Sequence, residues 1–166
     1  KMIQGQIPVT WSEQDYTSNN TWLTKTKEQH EASIDIVNGV KTHNDNGVFI
    51  WNENLPSVFT DVGKTFELEK TVCVVDRMDP GQILPYHKDR YQAYIKRNDI
   101  QDTANITRII VFLHDQKPGH QLWIEDKICM GPAGSYFGWH SNTKHMAANL
   151  GYESRYILQI TGISKT

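Results

Sequence analysis

The chain has 166 residues, of which 38% are hydrophobic and 22% are charged, and its formal net charge is −2. This composition predicts one folded domain over residues 1–166 and excludes a disordered or fibrous chain. The balance of 17 basic and 19 acidic residues argues against nucleic acid as a partner, and no apolar run reaches the length of a membrane span. Because the N-terminus also lacks the pattern of a secretory signal, we expect a cytoplasmic protein.

Residues 1–68 predict a mixed α/β segment that supports the rest of the domain. Within it, a capping box followed by apolar residues predicts a helix over 27–38. Turn-forming polar residues come next at 42–47, and the sequence GVFIW predicts a short strand over 47–51. We expect these elements to flank the core of the fold.

Residues 69–163 follow a different pattern, in which short apolar strands alternate with turns that contain glycine and proline. The triplets DPG at 79–81 and KPG at 117–119 have proline and glycine in the order that a type II turn requires. Aromatic and apolar residues that share a face predict a short helical insertion over 90–98. The predicted strands cover residues 70–78, 83–89, 106–114, 120–125, 127–130, 135–139, 144–149 and 154–163.

This succession of short strands favours a mainly β fold, either a sandwich or a jelly roll, over an α/β sheet. The two cysteines, Cys73 and Cys129, lie in apolar strand-like runs. Two cysteines are too few for a disulfide framework, so we expect both to be buried free thiols.

Two of the seven histidines belong to a His-x-Asp pair. Residues two apart on a strand point to the same face, so the imidazole and the carboxylate of such a pair can meet one metal ion. His43 and Asp45 lie among turn residues, where a solvated loop is the simpler interpretation. His87 and Asp89 follow an apolar stretch on a predicted strand, and they are therefore the candidate pair.

A third ligand is expected from the last strands of the chain. The residues after His145 have the pattern of a hairpin, which would place His145 opposite Arg155 on the same face. A guanidinium beside the metal would bind a carboxylate in a bidentate manner. His140 is the alternative ligand in this region, and it is otherwise a loop or pocket-wall residue. His114 and His120 flank a turn and are expected at the surface.

Two imidazoles and one carboxylate on one face of an octahedral ion are the arrangement of non-haem Fe(II) oxygenases. The arrangement leaves three coordination positions, which a bidentate 2-oxo acid and dioxygen can fill. A 2-oxo acid with a second carboxylate, such as 2-oxoglutarate, would also satisfy Arg155. Mn(II) and Ni(II) accept the same ligand types, so the sequence leaves the native metal open.

Three stretches of the sequence carry a resemblance to a known family: PGQILPYHKDRYQAY, TRIIVFLHDQKPGHQLWIED and GSYFGWHSNTKHMAANLGYESRYILQITG. Over residues 70–163 the chain resembles small Fe(II)/2-oxoglutarate-dependent oxygenases of the double-stranded β-helix superfamily, related to the aspartyl/asparaginyl hydroxylase-like and phage-encoded members. His145 lies 58 residues after His87, and Arg155 lies ten residues after His145, in the order and spacing of that family. The resemblance implies a cupin-like jelly roll, a double-stranded β-helix with a flanking N-terminal helix and a short helical insertion.

By this resemblance, His87, Asp89 and His145 would be the metal ligands and the catalytic centre, and Arg155 would bind the distal carboxylate of 2-oxoglutarate. The implied cofactors are Fe(II), 2-oxoglutarate and O2, with ascorbate as a helpful reductant. The implied reaction converts 2-oxoglutarate to succinate and carbon dioxide while it hydroxylates an unactivated C–H bond. Asp89 favours hydroxylation, because related halogenases lack this carboxylate.

Two further residues have two interpretations each. Arg108 would either help to hold 2-oxoglutarate or form a structural ion pair, and Asn149 would either line the pocket or stabilise a turn. For the whole chain, the first hypothesis is a hydroxylase that acts on an amino acid, a peptide or a protein side chain. The alternative is a non-catalytic cupin-like module that binds a metal or a small acid.

Overall fold

The computed structural model describes residues 2–18, 22–25, 29, 32, 34–36, 49–52 and 54–165. In this part of the chain, two antiparallel sheets face each other: a larger one of seven strands, in the order β1-β10-β7-β12-β5-β4-β2, and a smaller one of five, in the order β3-β6-β11-β8-β9. The strands are β1 (Ile3–Gln6), β2 (Leu23–Lys25), β3 (Ile34–Ile36), β4 (Phe49–Asn52), β5 (Glu69–Met78), β6 (Ile83–Asp89), β7 (Ile106–Phe112), β8 (His120–Ile124), β9 (Lys127–Ile128), β10 (Ser135–His140), β11 (His145–Asn149) and β12 (Arg155–Ile163).

Short helices accompany the sheets. Those within the described residues include α1 (Glu13–Thr17), α2 (Ser57–Lys64) and α3 (Gln92–Asn98). The first two cover the outer face of the larger sheet, where Tyr16 and Phe59 share a core cluster with Leu158 and Ile160. None of the helices in the described ranges combines the length and the apolar character needed to cross a bilayer.

The central strands β7 and β12 of the larger sheet are buried on both faces, because helices cover one side and the smaller sheet covers the other. In β12, Leu158 and Ile160 are fully buried on the helical side. Ile157, Gln159 and Thr161 alternate with them and face the space between the sheets. A sheet covered on both sides needs nearly continuous apolar strands, which explains sequences such as IIVF in β7.

The architecture confirms the predicted fold class, a mainly β, cupin-like jelly roll. Each strand predicted after residue 69 is present, with its ends shifted by a few residues at most. The helical insertion predicted over 90–98 is α3. Both predicted type II turns form: Gly81 and Gly119 have φ values of 87° and 85°, and a backbone hydrogen bond closes each turn.

The helix predicted over 27–38 is wrong in its second half. Gln29 is helical, but Ile34–Ile36 form the edge strand β3, which pairs with β6. Ile34 is buried and Asp35 is exposed, the alternation of a strand with one buried face. The turn predicted at 42–47 lies outside the described residues, and the strand predicted over 47–51 is present as β4.

The two cysteines are free thiols, as predicted, although only Cys129 is fully buried and Cys73 is half-buried. Burial raises the pKa of Cys73 to about 11 and that of Cys129 to about 12. Both thiols are therefore protonated at neutral pH, which makes them poor nucleophiles and poor metal ligands.

Candidate metal centre

His87, Asp89 and His145 converge between the two sheets. His87 and Asp89 are two residues apart on β6, and His145 pairs directly with His87 across the β11–β6 ladder. The Nε2 atoms of His87 and His145 lie 3.5 Å and 3.4 Å from the carboxylate oxygens of Asp89. Taken together, one potential ligand atom from each residue lies within 4.8 Å of the others. Their placement follows from strand period and register, since His87 and Asp89 share a face and His145 is the partner of His87.

Backbone carbonyls fix the orientation of both imidazoles. Nδ1 of His87 donates to the carbonyl of Pro85 at 2.6 Å, and Nδ1 of His145 donates to the carbonyl of Thr143 at 3.0 Å. Since a carbonyl oxygen only accepts, the proton of each neutral ring is on Nδ1. Each Nε2 therefore presents its lone pair to the common centre, as a metal-binding histidine requires.

Asp89 is ionised in this site. Burial by itself would raise its pKa, but the neighbouring Arg108 guanidinium and His145 hold that pKa well below its usual range. Burial lowers the pKa of His145, and the Asp89 carboxylate opposes this only in part. The three residues thus offer an anionic oxygen and imidazole nitrogens, a donor set that suits a divalent transition-metal ion.

Arg108 is held from several sides. Its Nη1 donates to Oδ2 of Asp89 at 2.7 Å, while Nε and Nη2 donate to Oγ1 of Thr161 at 3.3 Å and 3.2 Å. The guanidinium also lies over the ring of Tyr91, with 4.7 Å between Cζ and the ring centroid. Of the two roles that the sequence allows, these contacts are those of the ion pair.

A cavity of about 550 Å³ opens beside the three residues. Its inner wall is largely apolar, with side chains contributed by both sheets, among them Ile110, Leu122, Ala147 and Ile157. From His145, strand β11 runs about 13 Å to Asn149, and β12 then begins with Arg155 in the opposite sheet. Arg155 therefore enters the cavity at the end away from the three candidate ligands.

Arg155 is a buried cation with incomplete compensation. It is 5% exposed, and its Nη2 has no hydrogen-bond partner within the described part of the chain. Burial lowers its pKa to about 10, an effect that the nearby Asp76 carboxylate offsets only in part. Such a group favours an anionic ligand that can satisfy the free N–H groups.

The hairpin predicted between His145 and Arg155 is wrong. His145 pairs with His87 and Ile124 in the smaller sheet, whereas Arg155 pairs with Met78 in the larger one. The chain crosses from one sheet to the other between β11 and β12, as jelly rolls do at their corners. Both residues nevertheless line the same cavity, from opposite walls.

Asn149 contacts the backbone around this crossing. Its amide nitrogen donates to the carbonyls of Met78 and Glu153 at 2.9 Å and 2.8 Å, and its side-chain oxygen accepts from the N–H of Gly151 at 3.1 Å. Both amide protons are therefore engaged in holding the turn. These contacts match the turn role, and they leave no free N–H of Asn149 for a ligand.

The other histidines in the described ranges, His114, His120 and His140, lie apart from the centre. His140 is exposed, and its Nδ1 bonds to Oγ1 of Thr107 at 2.9 Å. His120, expected at the surface, is instead 5% exposed, and its Nε2 donates to the carbonyl of Glu153 at 2.8 Å. The second His-x-Asp pair, at 43–45, lies outside the described residues.

Sequence reasoning missed Asp76 as a cavity residue. Asp76 lies on β5 in the inward-facing series that includes Val72, Val74 and Met78, and it is 8% exposed. A charged residue at an inward position of an apolar strand was the available signal, since period-two alternation puts these side chains on one face. Tyr91 and Trp139 also line the cavity beside the three candidate ligands.

No protein-family profile and no curated protein sequence matches the chain. Solved structures do resemble it. A prolyl-4-hydroxylase from Pseudomonas putida matches with a TM-score of 0.51 and 14% identity, covering 72% of this chain and 72% of that one. At this identity the likeness concerns the fold alone. The chain has a cupin-like double-stranded β-helix fold.

Two other solved structures match less closely. A predicted oxalate decarboxylase from Thermotoga maritima has a TM-score of 0.46 and 14% identity, over 71% of this chain and 83% of that one. A Cupin 2 conserved barrel domain protein from Salinispora arenicola has a TM-score of 0.44 and 10% identity, over 77% and 86%.

Proposed function

We propose that this protein is an Fe(II)/2-oxoglutarate-dependent oxygenase that hydroxylates a C–H bond of an amino acid, a peptide or a protein side chain. One observation carries the proposal: two imidazoles and one carboxylate meet at one end of a largely apolar cavity, and an incompletely compensated guanidinium is buried at the other end. A metal alone would not need Arg155. A chelating acid with a second carboxylate would use both ends.

In this proposal, His87 and His145 would hold the iron through Nε2, and Asp89 would hold it through one carboxylate oxygen. The bound iron would activate dioxygen and couple its reduction to the decarboxylation of 2-oxoglutarate and the oxidation of the substrate. Arg108 would keep the second carboxylate oxygen of Asp89 in place through its hydrogen bond at 2.7 Å. This contact would leave the first oxygen free for the metal.

Arg155 would bind the distal carboxylate of 2-oxoglutarate. A carboxylate within reach of Nη2 would supply the acceptor that this nitrogen lacks and would form a charge-assisted hydrogen bond in a water-poor environment. The apolar walls between Arg155 and the iron ligands would surround the carbon chain of the acid and exclude water from it.

The test is succinate formation from 2-oxoglutarate in the presence of Fe(II), ascorbate and O2, with amino acids and peptides as candidate substrates. We expect turnover that depends on iron and 2-oxoglutarate. His145→Ala should abolish both iron binding and succinate formation, because it removes one of three ligands. His140→Ala is the matched control, and it should retain both.

Two results would contradict the proposal. In the first, the protein binds iron and 2-oxoglutarate but forms no succinate, either with a substrate or in the uncoupled reaction without one. That result would favour the non-catalytic cupin-like module. Loss of iron binding in His140→Ala but not in His145→Ala would place the metal elsewhere.

A further inference from the structure

Two side chains beside the candidate ligands carry polar hydrogens that the protein leaves unbonded. The hydroxyl of Tyr91 and the indole N–H of Trp139 have no hydrogen-bond partner among the described residues, and the two side chains are only 8% and 2% exposed. A buried donor left unsatisfied costs about 1–3 kcal/mol. Two such donors in the wall of one cavity indicate that a ligand supplies the missing acceptor.

Both donors lie beside the three candidate ligands, on the side where Asp89 and His145 are. The ring of Trp139 packs on that of His145, with 4.2 Å between the centroids. The ring of Tyr91 packs on the guanidinium of Arg108, which is itself bonded to Asp89. The Tyr91 hydroxyl lies near both the Trp139 indole and the Asp89 carboxylate, yet it meets neither with hydrogen-bond geometry.

The backbone of Tyr91 makes this arrangement costly. Tyr91 precedes α3 with φ of 55° and ψ of 18°, in the left-handed region. A bulky residue in this region costs about 1–2 kcal/mol, whereas glycine adopts it freely. Strained residues of this kind are concentrated at ligand-binding and catalytic sites. The strain and the unsatisfied hydroxyl therefore point in the same direction, towards a ligand-binding role for Tyr91.

The chemistry of the two donors limits what they bind. The indole N–H only donates, and the phenolic hydroxyl of Tyr91 can donate its proton as well. Both groups offer a donor, so the ligand atom between them is an acceptor, and an oxygen suits both. The keto-acid end of 2-oxoglutarate offers carboxylate and keto oxygens, which are stronger acceptors than dioxygen. The C–H bond of the substrate offers no acceptor.

We infer that Tyr91 and Trp139 form an oxygen-binding pair that positions the keto-acid end of 2-oxoglutarate at the metal, an inference that rests on the proposed function. Tyr91 and Trp139 are then positioning residues at the metal end of the acid, and Arg155 holds the opposite end. The contributions of the two ends of the acid to binding can therefore be measured separately by a choice of ligands. Pyruvate has the keto-acid end but lacks the distal carboxylate.

The experiment compares Tyr91→Phe with the wild-type protein under anaerobic conditions, with Fe(II) bound. Binding of 2-oxoglutarate and of pyruvate is measured by calorimetry and by the charge-transfer absorption of the iron–keto-acid complex. We expect Kd to rise by about tenfold, and by the same factor for both acids, because one hydrogen bond to a charged group is lost. Trp139 is unsuitable for this test, since truncating a buried ring leaves a cavity.

Two variants serve as controls. Tyr86→Phe makes the same change on β6, where the hydroxyl donates to the carbonyl of Glu125 at 3.1 Å, and it should leave both Kd values unchanged. Arg155→Met should raise Kd for 2-oxoglutarate and leave Kd for pyruvate unchanged. The metal-free Tyr91→Phe protein should unfold at the wild-type temperature or above it, because the hydroxyl that it lacks bonds to no described residue.

The possible failures are distinguishable. Unchanged Kd values in Tyr91→Phe, with normal binding by the wild type, would overturn the inference and leave the proposed function intact. A rise confined to 2-oxoglutarate would also overturn it, because Tyr91 would then act at the distal end. Absence of 2-oxo acid binding by the wild-type protein would contradict the proposed function and this inference together.

Discussion

The buried carboxylate of Asp89 depends on Arg108 for as long as no cation is bound beside it. Their side chains are only 9% and 15% exposed, so water does little to stabilise either charge. Breaking a buried ion pair by removing one partner leaves an uncompensated charge in a medium of low polarity. The stability of the metal-free protein should therefore be sensitive to this one contact.

Arg108→Met should lower the free energy of unfolding of the metal-free protein by about 3–5 kcal/mol. Arg90→Met is the matched control, because Arg90 pairs with Asp35 at the surface, where the side chains are 41% and 58% exposed. An exposed pair of this kind contributes less than about 1 kcal/mol. Urea denaturation measures both. Equal, small losses would mean that Arg108 does not compensate Asp89.

At the scale of single residues, the sequence predicts which side chains form the centre but not which hydrogen bonds and ion pairs they make. His87 and Asp89 are recognisable from period-two spacing, whereas His145 was predicted from a hairpin that does not form and from the order and spacing of the family that the chain resembles. The left-handed conformation of Tyr91 carries no local signal, because tyrosine has no preference for it. It occurs where the chain turns from β6 into α3, and the Tyr91 ring there packs against Arg108.

At the scale of the elements, the crossing between β11 and β12 explains why the predicted hairpin fails. Turn-forming residues at 149–153 are compatible with a hairpin and with a jelly-roll corner alike. The choice depends on which strands are available as partners, and β5, β6, β7 and β8 come from distant parts of the sequence. Local patterns predict where a strand ends but not which strand lies beside it.

Two of the short helices, α1 and α2, were not predicted from the sequence. Helix α1 has five residues and α2 has eight, too few for a clear helical period. Ser12 and Asp15 form a capping box at the start of α1, a signal that was available in the sequence. These helices are held in place by the larger sheet, since helices this short are marginal on their own.

The two type II turns offer a test of how the elements are joined. Gly81→Ala should cost about 1 kcal/mol, the conformational penalty alone, because a Cβ at Gly81 meets nothing within 4 Å. Gly119→Ala should cost clearly more, because its Cβ would also overlap the backbone of Leu150 and Gly151.

Urea denaturation of the two variants separates the conformational penalty from the clash. Equal losses would contradict the close approach of the 117–119 turn to the β11–β12 crossing. A smaller loss for Gly119→Ala than for Gly81→Ala would contradict it as well.

At the scale of the whole molecule, the cavity exists because side chains fill the space between the two sheets unevenly. One core cluster joins them through residues such as Phe112, Ile124 and Phe137, whereas polar side chains such as His87 and Arg108 occupy inward positions at the centre. Strand spacing and turn residues are local patterns, and they were sufficient to predict a sandwich or a jelly roll, whereas the jelly roll itself was implied by the resemblance to a family. The contribution of β1, β2 and β4 to the larger sheet and of β3 to the smaller one is a long-range property of the N-terminal segment.

The central claim is that His87, Asp89 and His145 bind one metal ion at the end of this cavity. The most direct measurement is anomalous diffraction on both sides of the iron absorption edge, from crystals grown anaerobically with Fe(II) and 2-oxoglutarate. We predict one anomalous peak, bound by Nε2 of each histidine and by a carboxylate oxygen of Asp89. Iron density at another position, or no peak between these three side chains, would contradict the account.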